Sequence, residues 1–107
     1  MVEVLEYIDA NGRNPYRNWV ADLEPATRAR IIAVVLRMEQ GNFSAKSVGS
    51  GVSELRLDFG PGYRVYFGRE GELRVFLLGG GTKKRQQDDI GTAQELWAEY
   101  KRRKREK

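Results

Sequence analysis

The chain has 107 residues, of which 40% are hydrophobic and 32% are charged, and this size suits one domain over residues 1–107. It contains no cysteine and no histidine, which excludes disulfides, iron–sulfur clusters, thiolate nucleophiles, zinc sites of the Cys/His type and histidine acid–base chemistry. It has no apolar run near the roughly 20 residues of a membrane helix and no basic, apolar leader. We therefore expect a soluble cytoplasmic protein without a membrane segment, metal or cofactor.

The positive charge is concentrated at the C-terminus. Residues 101–107 hold six bases and one acid, whereas residues 1–100 hold 13 bases and 14 acids. Such a basic helix end is typical of a solvated terminus or of an electrostatic arm that binds nucleic acid. The cluster alone does not decide between these two interpretations.

The N-terminal part is expected to contain a strand and a helix. Residues 2–8 are rich in β-branched and aromatic side chains, which favours a strand, and Asn11-Gly12 indicates the turn that ends it. Asn14 is a good N-cap, and Pro15 suits the first helical position. The helical spacing that follows predicts a first helix.

A second helix is expected to begin at Pro25 and to form a hairpin with the first. Gly41 stands where a glycine that ends a helix is expected, and the small, polar stretch 42–51 is predicted to be a loop. The expected buried face is Ala29, Ile32, Val35 or Leu36, and Met38 or Glu39.

Three strands are predicted next, over 52–59, 63–67 and 72–78, with turns at 60–62 and 68–71. The glycines at 79–81 are expected to end the last strand. Alternation points one set of apolar side chains toward the helices. This set is Leu55, Leu57, Val65 and Phe67.

The last helix is expected to start near Gln87 and to carry one continuous apolar stripe. The stripe is Ile90, Ala93, Trp97 and Tyr100. The predicted fold is therefore α+β with the order β-α-α-β-β-β-α. It has an antiparallel sheet, a helical hairpin on one face and a C-terminal helix.

The same alternation predicts a sheet face that carries Arg56, Arg64 and Tyr66, with Arg74 as a further member. Guanidinium groups bind phosphate oxygens in a forked geometry, and aromatic rings stack on unpaired bases. This pattern favours an RNA-binding face. The alternative, which composition alone favours, is an exposed sheet face with cross-strand ion pairs.

A second candidate cluster lies between the last strand and the last helix. Lys83, Lys84 and Arg85 precede Asp88 and Asp89, so bases that neutralise a phosphate stand beside possible proton acceptors. The alternative is an ordinary helix start, because acids are favoured there. Three consecutive bases at that position are unfavourable for the helix dipole, which is weak support for a functional role.

The segment 54–67, ELRLDFGPGYRVYF, resembles the ELR…GPGYRVYF signature of addiction module killer proteins, a HigB-type branch of the RelE/ParE toxin superfamily. Segment 75–84, Gln87, Asp89-Ile90 and the ending from Trp97 to Lys101 are also similar to that branch. The resemblance covers nearly the whole chain and implies a RelE-like fold. Together with the sheet face and the basic cluster described above, it gives Tyr66, Arg74, Arg85 and Gln87 as the candidate RNA-binding residues.

The resemblance implies a toxin of a type II toxin–antitoxin system, in complex with a helix-turn-helix antitoxin. Such toxins cut mRNA on the ribosome without a metal. The RNA's own 2′-hydroxyl attacks and leaves a 2′,3′-cyclic phosphate. By this resemblance Arg64 contacts the scissile phosphate, Arg56 is a basic residue on the preceding strand, and Lys83 or Lys84 is the base after the last strand.

The chain departs from the family pattern at the proton acceptor. Glu54 stands where RelE has a strand lysine, and the tyrosine or histidine that some members have near the last helix is absent. Asp88 and Asp89 occupy that region. The acceptor is therefore one of these carboxylates, a lysine of the basic cluster or a ribosomal group.

Two other functions are compatible with the same sequence. A ParE-like inhibitor would bind DNA gyrase through the helical hairpin and the basic tail, without hydrolysing anything. A remnant of a phage module would bind RNA or protein without toxicity. The endonuclease differs from both because it needs Arg56, Arg64 and the basic cluster together.

Overall fold

The computed structural model describes residues 1–106, so Lys107, the end of the predicted basic tail, lies outside the described residues. Within this range the elements are β1 (Glu3–Glu6), α1 (Pro15–Ala21), α2 (Pro25–Met38), β2 (Lys46–Gly49), β3 (Val52–Arg56), β4 (Arg64–Glu70), β5 (Arg74–Gly81) and α3 (Gln86–Arg105), with a 3₁₀ turn at Lys83–Arg85. The predicted α+β class and the C-terminal helix are confirmed.

The helix starts follow the sequence signals. Asn14 caps α1, because its side chain accepts a hydrogen bond from the Arg17 backbone N–H at 3.0 Å, and Pro15 is the first helical residue. Pro25 is likewise the first residue of α2, but its N-cap residue, Glu24, makes no side-chain capping hydrogen bond. Proline is well suited to this position because the first helical N–H groups have no partner within the helix.

The strands of residues 1–106 form one mixed sheet in the order β1-β5-β4-β3-β2. β1 runs parallel to β5, and the other neighbours are antiparallel. The first strand does join the sheet beside the later ones, but the prediction of an antiparallel sheet is wrong. A local pattern identifies a strand without fixing the direction in which a remote edge strand runs.

The predicted loop 42–51 contains a fifth strand. Lys46 and Ser47 of β2 pair with Glu54 and Ser53 of β3. Because β2 is a short edge strand with mostly exposed side chains, its residues lack the apolar alternation that predicts a half-buried strand. The prediction of a loop here is therefore wrong.

β5 continues through all three glycines instead of ending at them. Gly79, Gly80 and Gly81 pair with Tyr66, Val65 and Arg64 of β4. A Cβ on Gly80 would overlap the ring of Trp19, and a Cβ on Gly81 would overlap the Asp89 carboxylate. The glycines thus allow α1 and α3 to approach the strand closely.

The α1–α2 hairpin covers one face of the sheet. The residues predicted to point toward the helices are all buried beneath this hairpin: Leu55, Leu57, Val65 and Phe67. On α2, Ile31 and Met38 are fully buried, whereas Ile32 is 43% and Leu36 55% exposed. The prediction is confirmed for Met38 and for Val35, which packs against the core. It is wrong for Ala29 and Ile32, which are exposed, because the adjacent apolar pair at 31 and 32 satisfies two helical phases.

α3 covers the opposite face. Its predicted apolar stripe is confirmed, since Ala93 and Trp97 are buried against Tyr66 and Phe76 with Ile90 and Tyr100 packed beside them. The prediction that this face is open is wrong. Among residues 1–106 no helix combines the length and hydropathy needed to cross a membrane.

Candidate functional site

Two of the predicted phosphate-binding residues, Arg64 and Lys83, lie close together at one end of the sheet. Arg64 of β4 is paired with Gly81 at the end of β5, and the backbone N–H of Lys83 donates to the Pro61 carbonyl at 3.4 Å. A methyl group on Gly62 would lie 2.8 Å from Arg64 Nη1 and 3.3 Å from Lys83 Cβ. Both side chains therefore border the same space.

The guanidinium of Arg64 is buried and ion-paired. Its Nε donates to Glu54 Oε1 at 2.6 Å and its Nη1 donates to the Gly62 carbonyl at 2.5 Å, and only 5% of the side chain is exposed. Gln86 Nε2 donates to both oxygens of Glu54, at 2.9 and 3.2 Å. These contacts fix the position of the Arg64 guanidinium.

The Glu54–Arg64 pair is a site feature that sequence analysis missed. Alternation already places Glu54 and Arg64 on the same face of the sheet, so the sequence contained part of the information needed to predict the pair. Glu54 is opposite Tyr66 while Arg64 is opposite Arg56, so the pair is diagonal. Only the register of β3 against β4 brings the two side chains together.

Tyr66 is enclosed beneath α3. It has no exposed surface, and within residues 1–106 its hydroxyl has no hydrogen-bond partner. Burial raises the pKa of Tyr66 to about 12, and the carboxylates of Glu54 and Asp89 add to the rise. The predicted stacking of Tyr66 on an RNA base is therefore wrong for this packed arrangement.

The two predicted proton acceptors differ in their surroundings. Asp89 is half-buried against Gly81. Burial raises the pKa of Asp89; Asp88 adds to the rise and Arg85 opposes it. Asp88 is 77% exposed and lies 3.9 Å from Arg85. Asp89 is thus the carboxylate that borders the end of the sheet.

The exposed cations of this region form one short turn. Lys83, Lys84 and Arg85 make up the 3₁₀ turn before α3, which we call the basic turn, and all three residues are exposed. Next to it, Gln87 lines an open pocket of about 400 Å³ together with Gln86 and Gln94. Through Lys83, the basic turn brings exposed positive charge close to Gly62, beside which Arg64 also lies.

Two predicted residues lie apart from this space. Arg74 is at the opposite end of β5, roughly 20 Å along the strand from Gly81, and it pairs with Glu3 at 2.9 Å and Glu70 at 3.3 Å. Arg74 does lie on the α3 side of the sheet with Tyr66, as predicted, but at the opposite end of that face, so it does not share a site with Arg64. Arg56 is the cross-strand neighbour of Arg64, but its side chain is 69% exposed and borders α2.

The acidic residues of the described chain form no metal-binding group. In residues 1–106 no three Asp, Glu, His or Cys side chains lie together as a metal site requires. The site at the sheet end is composed of buried Glu54, Arg64 and Tyr66, half-buried Gln86 and Asp89, and the exposed basic turn.

Comparison with known proteins gives one clear relative. No protein-family model matches the chain. A protein of Haemophilus influenzae (strain Rd), described as an uncharacterized protein, is 41% identical over 83 residues, which are 76% of this chain and 84% of the relative. The chain belongs to the same family as this Haemophilus influenzae protein.

Proposed function

We propose that this protein is the toxin of a type II toxin–antitoxin pair and cuts mRNA on the ribosome, with a RelE-like fold of the HigB type. The observation that carries the proposal is the approach of Arg64 and Lys83 to Gly62, with Asp89 at the same end of the sheet. Cations and a carboxylate around one phosphodiester are what attack by an RNA 2′-hydroxyl requires.

In the proposed reaction the 2′-oxygen bonds to the adjacent phosphorus and the bond from phosphorus to the 5′-oxygen breaks. The products are a 2′,3′-cyclic phosphate and a 5′-hydroxyl. Asp89 accepts the proton of the 2′-hydroxyl, and its raised pKa makes it a stronger base than an ordinary carboxylate. An ammonium group of the basic turn gives a proton to the departing 5′-oxygen.

The cations have separate tasks in this mechanism. The exposed Lys83 and Lys84 stabilise the charge that develops on the phosphate oxygens. Arg64, held by Glu54, fixes the inner side of the phosphate position. The ribosome supplies the in-line orientation of the RNA, so the isolated protein is expected to cut free RNA poorly.

The proposed toxin requires an inhibitor. A helix-turn-helix antitoxin encoded beside it would form a hetero-oligomer with it and block the basic turn. A purified complex that leaves the basic turn accessible while RNA cleavage is suppressed would require another mode of inhibition.

A gyrase-binding function is the second candidate, because α3 covers the arginine-bearing sheet face on which the endonuclease interpretation depended. The hairpin that such an inhibitor would use exposes Ile32 and Leu36 of α2. The two functions predict different cellular damage, so one experiment distinguishes them.

That experiment is induction of the protein alone in bacteria, with growth recorded and the 5′ ends of mRNA mapped. We expect growth arrest and cuts in phase with codons, reduced roughly 100-fold by Lys83→Gln. They should be unchanged by Arg13→Gln, which removes the same charge from an exposed residue that is not part of the site. Arrest with DNA damage and intact mRNA would indicate gyrase binding. Absence of arrest would contradict both functions.

A further inference from the structure

A second open groove lies between α2 and the end of β3. It has a volume of about 460 Å³, and its walls include Arg30, Ala33 and Arg37 of α2 together with Arg56 and Phe59. Residues 30, 33 and 37 share one side of the helix because they are three and four positions apart. The small Ala33 keeps the groove open between two arginines.

Two of the three guanidinium groups of this groove lack a carboxylate partner within the described part of the chain. Among residues 1–106, Arg30 and Arg37 form no ion pair. Arg56 lies 3.8 Å from Asp58, whose side chain is 90% exposed, and such an exposed contact is weak. α2 itself contains three arginines and no acid. The groove is lined by three arginines and one carboxylate, that of Asp58, so it carries net positive charge in a body that carries almost none.

One of these guanidinium groups is held in place by an aromatic ring. The Cζ of Arg30 lies 3.7 Å from the centroid of the Phe59 ring, and that ring packs against Tyr63 at a centroid distance of 5.4 Å. A guanidinium over a ring is oriented by the cation–π interaction and retains its outward N–H donors. This arrangement suits phosphate oxygens.

The groove opens at the same end of the sheet as the candidate site. Arg56 is the direct neighbour of Arg64 across β3 and β4, and the turn 60–62 lies between Phe59 and Tyr63. A linear polyanion bound at the basic turn can therefore continue across this turn into the groove. Because the groove continues from the proposed phosphate site, a polynucleotide could occupy both. An acidic protein segment would not be expected to bind at both places, so we favour a polynucleotide.

We propose that the groove of Arg30, Arg37 and Arg56 binds the phosphodiester backbone of single-stranded RNA next to the cleaved bond. This inference rests on the proposed function, because that function identifies RNA as the polymer. The three arginines bind phosphates without reading bases, so the groove adds affinity and salt dependence.

The test is binding of a labelled 2′-O-methyl RNA of about 12 nucleotides, measured by fluorescence anisotropy at several salt concentrations. This probe has no free 2′-hydroxyl and cannot be cut, so binding is measured separately from cleavage. We expect Arg37→Gln and Arg56→Gln each to weaken binding about tenfold. Each variant should also lower the slope of log affinity against log salt by about 0.7.

Arg13→Gln is the matched control, since Arg13 is exposed, lies outside the groove and carries the same charge. If Arg37→Gln and Arg13→Gln weaken RNA binding equally, the proposal is overturned, because the affinity would then depend only on the net charge of the protein. Tighter binding of an oligoglutamate peptide than of the RNA would also overturn it. Groove-dependent binding without any mRNA cutting by the native protein would instead contradict the proposed function alone.

Discussion

At the scale of single residues, Arg64 stabilises the fold, and this contribution has to be measured separately from any role of Arg64 in catalysis. Its partner Glu54 is 6% exposed at the side chain, so Arg64→Ala leaves a buried carboxylate without its counter-ion. We expect a loss of about 3–5 kcal/mol in the free energy of unfolding, measured by urea denaturation. Arg56→Ala, on the neighbouring strand but exposed, should cost less than about 0.5 kcal/mol.

An Arg64→Ala protein as stable as the native chain would show that the Glu54–Arg64 pair contributes nothing to the fold. If the expected loss occurs, inactivity of this variant says little about catalysis. Lys83→Gln is the better probe of the chemistry because Lys83 is exposed.

Asp89 makes a prediction about pH. Burial raises its pKa in the folded protein above the ordinary value of 3.8, so between these two pKa values the native state binds more protons than the unfolded state. Stability attributable to this group is therefore greatest at low pH and falls as pH rises through the folded pKa. We expect Asp89→Asn to be at least as stable as the native protein at about pH 7.

Urea unfolding of both proteins from about pH 3 to pH 7 measures this difference. The stability of Asp89→Asn relative to the native protein should increase over that range. A relative stability that decreases would mean that the carboxylate is favoured by its surroundings, and Asp89 would then be a weaker base than the mechanism needs.

At the scale of elements, the glycines of β5 determine how closely the helices approach the sheet. A Cβ on Gly80 would overlap the Trp19 ring, whereas a Cβ on Gly91 of α3 has nothing within 4 Å. We expect Gly80→Ala to lower the free energy of unfolding by about 1–3 kcal/mol. Gly91→Ala should raise it by up to about 1 kcal/mol, because alanine favours the helix.

These two variants carry the same chemical change and are compared by thermal or urea unfolding. Similar effects of both would contradict the account, since the close contact of α1 with β5 would then have no energetic consequence.

The C-terminal half of α3 is attached to β4 through Glu70. Lys104 Nζ donates to Glu70 Oε2 at 2.6 Å and the Tyr100 hydroxyl donates to the same oxygen at 2.5 Å. The hydrogen bond from Lys104, followed by that from Tyr100, lowers the pKa of Glu70 from 4.5 to about 2. The stabilising contribution is therefore present above pH 4.5 and is lost as pH falls toward about 2.

Glu70→Gln should accordingly lower the melting temperature at neutral pH and have little effect near pH 2. Thermal unfolding followed by circular dichroism across this range measures the difference. An effect of the substitution that does not depend on pH would show that Glu70 acts through packing or neutral hydrogen bonds instead of its charge.

The elements also show what a local pattern can predict. The start of α1 at Pro15 and the apolar stripe of α3 were predictable, because caps and helical spacing act within a few residues. The strand β2 and the course of β5 through Gly79–Gly81 were not, because both depend on pairing with residues distant in the chain.

At the scale of the whole molecule, two layers of helix enclose the sheet. Sequence alternation correctly separated the two faces of β3 and β4, and it correctly grouped Arg64 with Tyr66. It could not show that α3 lies over that second face, since one amphipathic helix can cover either side. The close approach of Arg64 and Lys83 was predictable, because the start of β4 lies beside the end of β5 in an antiparallel pair. The ion pair that buries Arg64 against Glu54 was not, because it depends on the register of β3 against β4.

The most direct measurement of the proposed chemistry uses ribosomes programmed with one defined mRNA. The purified protein is added to native mRNA and to an mRNA with a single 2′-deoxynucleotide at the cut position. We expect cutting of the native mRNA only, with a 2′,3′-cyclic phosphate on the upstream product and little cutting without ribosomes. Equal cutting of the deoxy-substituted mRNA would contradict attack by the 2′-hydroxyl, and no cutting of either would contradict the endonuclease function.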